Sequence, residues 1–541
     1  MIVLRDRPEG GIETLMLRRA QRAGDFRSGV AVFPGGALDP QDRQAHAHVL
    51  GWNDDEASVR LGVPAGGLDY LVAAARECFE EVGLLFAPTL DAAALAVAHD
   101  EWRTSMQRGE RTVAALCDAI ARPLDLRDWA YLSHWVTPLG MPKRFDTRFF
   151  VARAPEAQVA IADAQEAESL LWITPDDALD PARGLTLLPV THTLLGLLSR
   201  FTAVDDLLAH ARQLRDIPMI MPRLARAAGR PAVIVPGEAA FDEIGAIDPT
   251  GRGDAHADLL AGRVVRLSPR ILRVTAPNPG LMTGAGTNSY LVGDPETNRW
   301  TVIDPGPDDA AHLAALLAAA PGPIERILVT HTHPDHSPGA GALAHATGAP
   351  VLGQRPRHPE WQDGAFAPTR ELFGGEQIIL GPSTTLEVIH TPGHASNHLC
   401  YRLVEERLLF SGDHLMQGAT VVIAPPDGDM AAYLQALNAV DALDLAWLAP
   451  GHGFLMARPR EVVEAVRRHR LAREARVLAA LQRLASGTLD ALLPAAYPDT
   501  PSALQDVARL SLLAHLIKLE HDGQARREGD RWAAAGSSMP A

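Results

Sequence analysis

Short apolar runs broken by Gly, Pro and polar residues divide the chain into four stretches. Residues 1–200 open on strand-like runs at 1–4, 13–18 and 30–33, pass through a helix at about Gly67–Val82, and return to strands near 147–152 and 170–173. Residues 201–268 carry a helix rich in Leu and Ala, then a Pro- and Gly-punctuated segment with one apolar run, Ala232-Val233-Ile234-Val235; they read as a connector or accessory segment. Residues 269–456 alternate strand-like runs (289–292, 300–303, 327–329, 351–352, 385–389 and 408–410) with helical ones, as a layered α/β domain does. Residues 457–535 are helical at first and end on a polar hairpin around 523–532; residues 536–541 form a tail. The sequence carries no repeat of solenoid type.

At 541 residues the chain exceeds a single hydrophobic core, and about three or four domains are expected. Hydrophobic content of 47% and charged content of 21% are ordinary for a soluble globular protein. The cysteines, Cys78, Cys117 and Cys400, are widely spaced and outside CxxC pairs, which points to a reducing compartment with no disulfide framework. No apolar run reaches membrane-spanning length and Met1-Ile2-Val3-Leu4-Arg5-Asp6 lacks signal-peptide order, so a cytoplasmic location without a membrane partner is expected. Because the first strand begins at Met1, the natural start is expected a few residues upstream. The formal charge of −16 opposes tight, non-specific binding to nucleic acid, which needs Lys and Arg against phosphates, although a local basic groove remains open.

The densest chemistry is His331-Thr332-His333-Pro334-Asp335-His336, which follows the strand-like run Ile327-Leu328-Val329-Thr330. Downstream come Thr391-Pro392-Gly393-His394, Ser411-Gly412-Asp413-His414 and Pro450-Gly451-His452-Gly453, each a Gly-containing turn bearing a strong ligand. Imidazole and carboxylate are the donors that zinc and similar borderline metals take, and this set suffices for two metals with one bridging ligand. One His-rich loop alone is compatible with a solvated turn; the ordered recurrence at His394, Asp413 and His452 makes it a catalytic metal site. His312, His345, His358, His390 and His398 lack a ligand-rich context and read as core or surface residues.

These motifs resemble the metallo-β-lactamase fold. The resemblance implies that His331, His333 and His394 hold one Zn²⁺, that Asp335, His336 and His452 hold a second, and that Asp413 bridges them. It also implies that Asp304, at the end of Val302-Ile303-Asp304, orients the ligand loop. Two divalent ions roughly 3.5–4 Å apart activate water near neutral pH and steady both attacking and leaving oxygens. Antibiotic-hydrolysing members usually carry a cysteine near the bridge; with Asp413 there, and Cys400 in a packed strand, the chain looks like the phosphodiesterase and thioesterase branches. Residues 461–535 resemble the C-terminal winged helix of the lactamase-like endoribonuclease subfamily, as does the opening Asn278-Pro279-Gly280 with Gly286-Thr287-Asn288-Ser289. Arg467, Arg468, Arg470, Arg473, Arg476 and Arg483 line one predicted helix, but interleaved Glu461, Glu464 and Glu474 make a solvated amphipathic face the plainer reading.

Arg76-Glu77-Cys78-Phe79-Glu80-Glu81-Val82-Gly83-Leu84 resembles the Nudix core. On a helix Glu77, Glu80 and Glu81 share one face, and a hard cation such as Mg²⁺ or Mn²⁺ relieves their repulsion. The resemblance implies Glu77 as the catalytic carboxylate and Glu80 and Glu81 as metal ligands, with Glu166 or Glu168 as an additional one. The usual box is interrupted after Phe33-Pro34-Gly35-Gly36, and its expected glutamate position is Leu68, beside Asp69. That insertion and Arg144-Phe145-Asp146-Thr147-Arg148 resemble coenzyme A diphosphatases of the Nudix family.

The expected architecture is therefore multidomain α/β and α+β: a Nudix fold, a metallo-β-lactamase αββα sandwich, and a winged-helix-like domain. The expected activity is that of a two-headed metal-dependent hydrolase. Its second head cleaves phosphodiesters, with single-stranded RNA as the candidate substrate and Asp335 in a catalytic role; its Nudix head takes a nucleotide or coenzyme A derivative. The alternative is a thioesterase of the glyoxalase II type with a nucleotide-sensing Nudix domain. A homo-oligomer is compatible with both.

Overall fold

The computed structural model of the chain describes residues 1–19, 29–88, 90–163 and 167–536. It divides into two compact units, Met1–Pro222 and Arg223–Ala541. Glu166 and the expected tail beyond Gly536 lie outside the described residues. Among the described residues no helix is long and apolar enough to cross a membrane.

The first unit is a mixed sheet covered on both faces. Ile2–Asp6 runs antiparallel to Ile12–Arg19 and parallel to Asp146–Arg153. Period-two alternation splits its residues. Val3 packs with Leu68, Leu71, Val72 and Phe79 of the Gly67–Val82 helix. Ile2 and Leu4 face Leu195, Leu198, Leu207 and Leu208 of the helices Pro189–Leu198 and Val204–Gln213. Residues 201–268, expected to be a connector or accessory segment, are thus divided between the units. Val204–Gln213 completes the first core. Arg223–Ala227, Arg230–Ile234 and Phe241–Ile247 instead bury Ala225, Ile234 and Ile244 against Phe454 in the second.

The second unit stacks a seven-stranded sheet on a six-stranded one. Ile271, Tyr290, Val292, Ile303 and Leu328 meet Leu386, Val388, Tyr401 and Phe410 between the sheets. The alternate residues Leu272, Val274, Leu291 and Val302 turn outward under Leu316 and Leu343 of the helices Ala310–Ala319 and Gly339–Thr347. On the other side Cys400, Leu409 and Leu448 pack under Tyr433 and Leu437 of Met430–Asp441. Burial of both sheet faces explains strands such as Ile271–Thr275, which are buried at every position. The order of layers is αββα.

The chain then enters the helix Pro459–Leu484, followed by Leu489–Ala496, Gln505–His521 and a three-stranded sheet. The expected polar hairpin is Ala525–Glu528 with Arg531–Ala534, joined by the short strand Ser486–Gly487. Val477, Leu481, Leu512, Leu516 and Trp532 form this module's core.

Candidate metal centre

Each expected ligand stands just past a strand at one end of the sandwich. The His331–His336 loop follows Ile324–Leu328, His394 follows Thr384–His390, Asp413 follows Leu408–Gly412, and His452 follows Trp447–Pro450. The structure brings them together. His331, His333 and His394 form one group, Asp335, His336 and His452 another, and His331, His336 and Asp413 a third, with ligand atoms within 4.8 Å of one another in each. Asp413 Oδ1 lies 3.5 Å from His336 Nε2 and 3.3 Å from His452 Nε2, while its Oδ2 lies 3.7 Å from His394 Nε2. The carboxylate therefore faces both groups.

The imidazoles are oriented from behind. His336 Nδ1 donates to Asp304 Oδ2 at 2.9 Å, His394 Nδ1 to the Val422 carbonyl at 2.6 Å, and His452 Nδ1 to the Gly286 carbonyl at 3.3 Å. Asp304 also accepts from Thr330 N and Thr330 Oγ1, both at 2.7 Å. Because that hydroxyl donates to Asp304, it accepts from His331 Nδ1 at 3.0 Å. Each Nε2 is thereby turned inward, where it can bind a cation once it carries no proton. Asp304 holds this position with φ +52°, a left-handed conformation that Asp tolerates better than most residues. Gly451 is required by proximity: a Cβ there would fall 2.5 Å from Asp413 Oδ1 and 2.9 Å from His336 Cε1.

The fit to divalent cations follows from unmet bonding. His336 Nε2, His394 Nε2 and Asp413 Oδ1 are buried without a hydrogen-bond partner. Burial pushes His333 down to about 3 and His331 well below its ordinary value, so both stand neutral and ready to donate electrons. Burial also opposes charge on His336 and His452, but Asp335 and Asp413 overcome it, raising His336 well above its usual range and His452 to about 9. The cage thus attracts positive charge, and cations can take the place of those protons.

Several residues of the site escaped sequence reasoning. His398, expected to be core or surface, is fully buried beside the cage, where its Nε2 accepts from Asp413 N at 3.1 Å and its Nδ1 donates to Thr391 Oγ1 at 2.8 Å. Its spacing after His394 in one polar turn was the available signal. Thr287 Oγ1 donates to Asp335 Oδ2 at 2.9 Å, and Asn288 Nδ2 donates to the Pro450 and Gly453 carbonyls at 3.1 and 2.8 Å, bracing the His452 turn. The Glu243 carboxylate accepts from Leu455 N at 2.8 Å, beyond the same turn. Cys400 is buried among Thr391 and Ser411 as a packing residue.

The cage opens into a cavity of about 620 Å³ lined by Leu281, Met282, Trp361, Met416, Val421 and, from the C-terminal module, Leu504 and Val507.

In the first unit Glu77, Glu80 and Glu81 share one face of Gly67–Val82. Arg76 donates to Glu77 Oε1 at 2.9 Å and Glu80 Oε2 at 3.3 Å, and its Nε reaches Asp42, on the insertion, at 2.8 Å. Gly35 N donates to Glu81 Oε2 at 2.8 Å, and Gly36 lies so close that a Cβ would meet Glu77 Cδ at 2.3 Å. Burial, with repulsion from Glu77, pushes Glu80 up to about 7. Among the described residues these carboxylates do not converge as tightly as the His/Asp cage does. Leu68 is buried; Asp69 accepts from Arg43 and His46, both at 2.7 Å. Glu168 lies 3.9 Å from Arg18 and is more than half exposed.

Three family models match: "Metallo-beta-lactamase superfamily" over residues 282–452, "NUDT19 Nudix domain" over 49–184, and "Beta-lactamase associated winged helix domain" over 488–532. A "Beta-lactamase-like protein 2 homolog" of Drosophila melanogaster is 30% identical over 283 residues, covering 49% of this chain and 92% of that protein. An "Atrochrysone carboxyl ACP thioesterase" of Aspergillus fumigatus is 30% identical over 225 residues, covering 40% of this chain and 67% of its own length. The crystal structure of a beta-lactamase domain protein from Burkholderia ambifaria aligns at 21% identity and TM-score 0.46 over 51% of this chain and 94% of its own. With the family models falling on the cage, the glutamate helix and the C-terminal module, and the Drosophila relative covered over 92% of its length, the chain belongs to the metallo-beta-lactamase superfamily as a hydrolase carrying a Nudix domain before that fold and a winged helix after it.

Proposed function

We propose that the cage domain hydrolyses acyl thioesters and that the Nudix domain cleaves a nucleoside-diphosphate-linked compound such as a coenzyme A derivative. The observation that carries the first reading is the apolar wall of the cleft, with Leu281, Met282 and Trp361 standing 71%, 49% and 64% exposed at its rim. An acyl chain fits such walls, whereas a polynucleotide track needs unpaired cations. On the Pro459–Leu484 helix Arg467 pairs with Asp441, and Arg473 and Arg476 pair with Asp499; Arg470, which also lines the cleft, makes no ion pair among the described residues, and one such cation is short of a track. The thioesterase named among the relatives adds to this reading. Trp361 favours the second one, single-stranded RNA, since an exposed indole is a platform for a base.

In this proposal His331, His333 and His394 hold one cation, Asp335, His336 and His452 the other, with Asp413 between; zinc suits the donors. When bound, such a pair supplies Lewis acidity and hydrolytic power at neutral pH. The protein's own part is positional. The apolar walls hold the acyl chain and exclude bulk water. Asp335, its Oδ2 fixed by Thr287, accepts from the attacking water through its other oxygen and orients it, and the water's proton passes to the leaving thiolate as the carbon–sulfur bond breaks. In the Nudix domain Glu77 acts as base and Glu80 and Glu81 hold Mg²⁺ or Mn²⁺.

The test offers metal-loaded protein an acyl thioester series and labelled single-stranded RNA. Thioester turnover abolished by His333→Ala is expected. RNA cleavage with no thioester turnover would overturn the assignment.

A further inference from the structure

Arginine is seldom buried without an acidic partner, because a guanidinium stripped of water needs compensating charge. Arg470 breaks that rule. It is 4% exposed on the Pro459–Leu484 helix and, among the described residues, makes no ion pair, although Arg467, Arg473 and Arg476 of the same helix do. Its contacts are neutral. Nη2 donates to the Val421 carbonyl, the guanidinium lies 5.4 Å from the centre of the Tyr433 ring, and Nε has no partner.

Two further features sit in the same wall. The Tyr497 hydroxyl is buried without a partner, and its ring is covered by Arg473 at 4.2 Å. Arg470, Arg473 and Tyr497 line the cavity into which His333, Asp335, His394 and Asp413 open. Burying the Arg470 guanidinium without a counter-charge, near an unsatisfied O–H and beside Arg473, whose own charge is met by Asp499, is unfavourable for folding alone. It becomes favourable when an anion enters, because Arg offers a planar fork and the hydroxyl a further donor.

We propose that Arg470, with Arg473 and Tyr497, is an anion receptor in the roof of the metal cleft, so that the substrate carries a carboxylate or phosphate group remote from its scissile bond. This rests on the thioesterase reading and narrows it to thioesters with a second, charged end. A carboxylate would lie on the acyl part, a phosphate on the thiol carrier.

Matched pairs separate the sources. One pair is an ω-carboxyacyl thioester of N-acetylcysteamine and its methyl ester; the other is a neutral acyl thioester of 4′-phosphopantetheine and of pantetheine. The charged member of one pair should be favoured at least about ten-fold in kcat/KM, chiefly through KM. Arg470→Met should erase that preference while leaving the neutral member's turnover in place. A merely structural arginine would instead lower both members together. Calorimetric binding of glutarate and inorganic phosphate to the full chain gives a readout independent of turnover: one should bind the native protein and not Arg470→Met. If Arg470→Met fails to fold, Arg470→Lys and Tyr497→Phe carry the same comparison. Equal turnover of charged and neutral members, or anion binding that survives every variant, overturns the receptor and leaves the thioesterase reading standing. Arg470-dependent anion binding with no thioester turned over overturns the thioesterase reading and leaves the receptor standing.

Discussion

Glu243→Gln should damage a metal site it never touches. Glu243 and Arg273 are each 1% exposed and form a two-pronged pair, with Arg273 Nη1 2.5 Å from Glu243 Oε2 and Nη2 2.9 Å from Oε1. Glu243 Oε2 also accepts from Leu455 N at 2.8 Å, three residues past His452. Neutralising Glu243 strands a buried guanidinium, which costs about 3–5 kcal/mol. It also weakens the grip on the His452 turn, though Asn288 and the Tyr290 hydroxyl still hold Pro450. Affinity for the second cation should therefore fall by about 10-fold, the low end of what supporting residues contribute. Glu243→Met with Arg273→Leu removes the stranded charge and should recover most of the stability. It leaves Leu455 N without its acceptor, so the metal defect should persist. Urea unfolding reports stability, and competition with a chromophoric chelator reports affinity. A single variant within about 1 kcal/mol of the native protein, or a double variant with native metal affinity, refutes the reasoning.

Asp304→Asn places an amide where one carboxylate accepts from Thr330 N, Thr330 Oγ1 and His336 Nδ1; bound metal measured after dialysis should drop by about 10–100-fold in affinity, and an unchanged content would contradict the bracing role. His312 is held down to about 4 by burial, so the unfolded chain, with its histidine near 6.5, binds the proton first as pH falls. Stability should decline between about pH 6.5 and 4 by up to about 3 kcal/mol, and His312→Gln should flatten that slope in unfolding curves taken across the range. Burial pushes the thiols of Cys78, Cys117 and Cys400 up to about 12. Native protein at pH 8 (an assay condition) should resist iodoacetamide by intact-mass analysis and react only when unfolded; rapid native labelling would contradict their burial. Glu80→Gln should abolish cleavage of coenzyme A and spare thioester turnover, and joint loss of both would show that the heads do not act separately.

The parts legible from sequence are those fixed by local chemistry. The Gly67–Val82 helix ends where Gly83, at φ +72°, stops it, and the ligand turns announce themselves by Gly next to His or Asp. Gly393, whose Cβ would lie 2.4 Å from Tyr433 Cα, is needed for the approach that brings His394 inward. What stayed hidden depends on distant partners. Asp42 is an ordinary acid until the insertion folds it against Arg76, and Glu243 lies on a short helix whose only distinction is the Arg273 and Leu455 it meets. The boundary near residue 222 was equally invisible, since Val204–Gln213 and Phe241–Ile247 are both amphipathic and differ only in which core receives them. The basic helix reads as a solvated face because nothing in the sequence shows that Arg470 is buried.

Part of the cavity wall is written later in the chain than the cage: His331 to His452 supply the ligands, whereas Arg470 to Val507 complete a wall begun by Leu281, Met282 and Trp361. Reactivity and selectivity can therefore drift apart over evolutionary time. A lineage can exchange one client molecule for another by rewriting the late residues, while the cation chemistry is inherited intact.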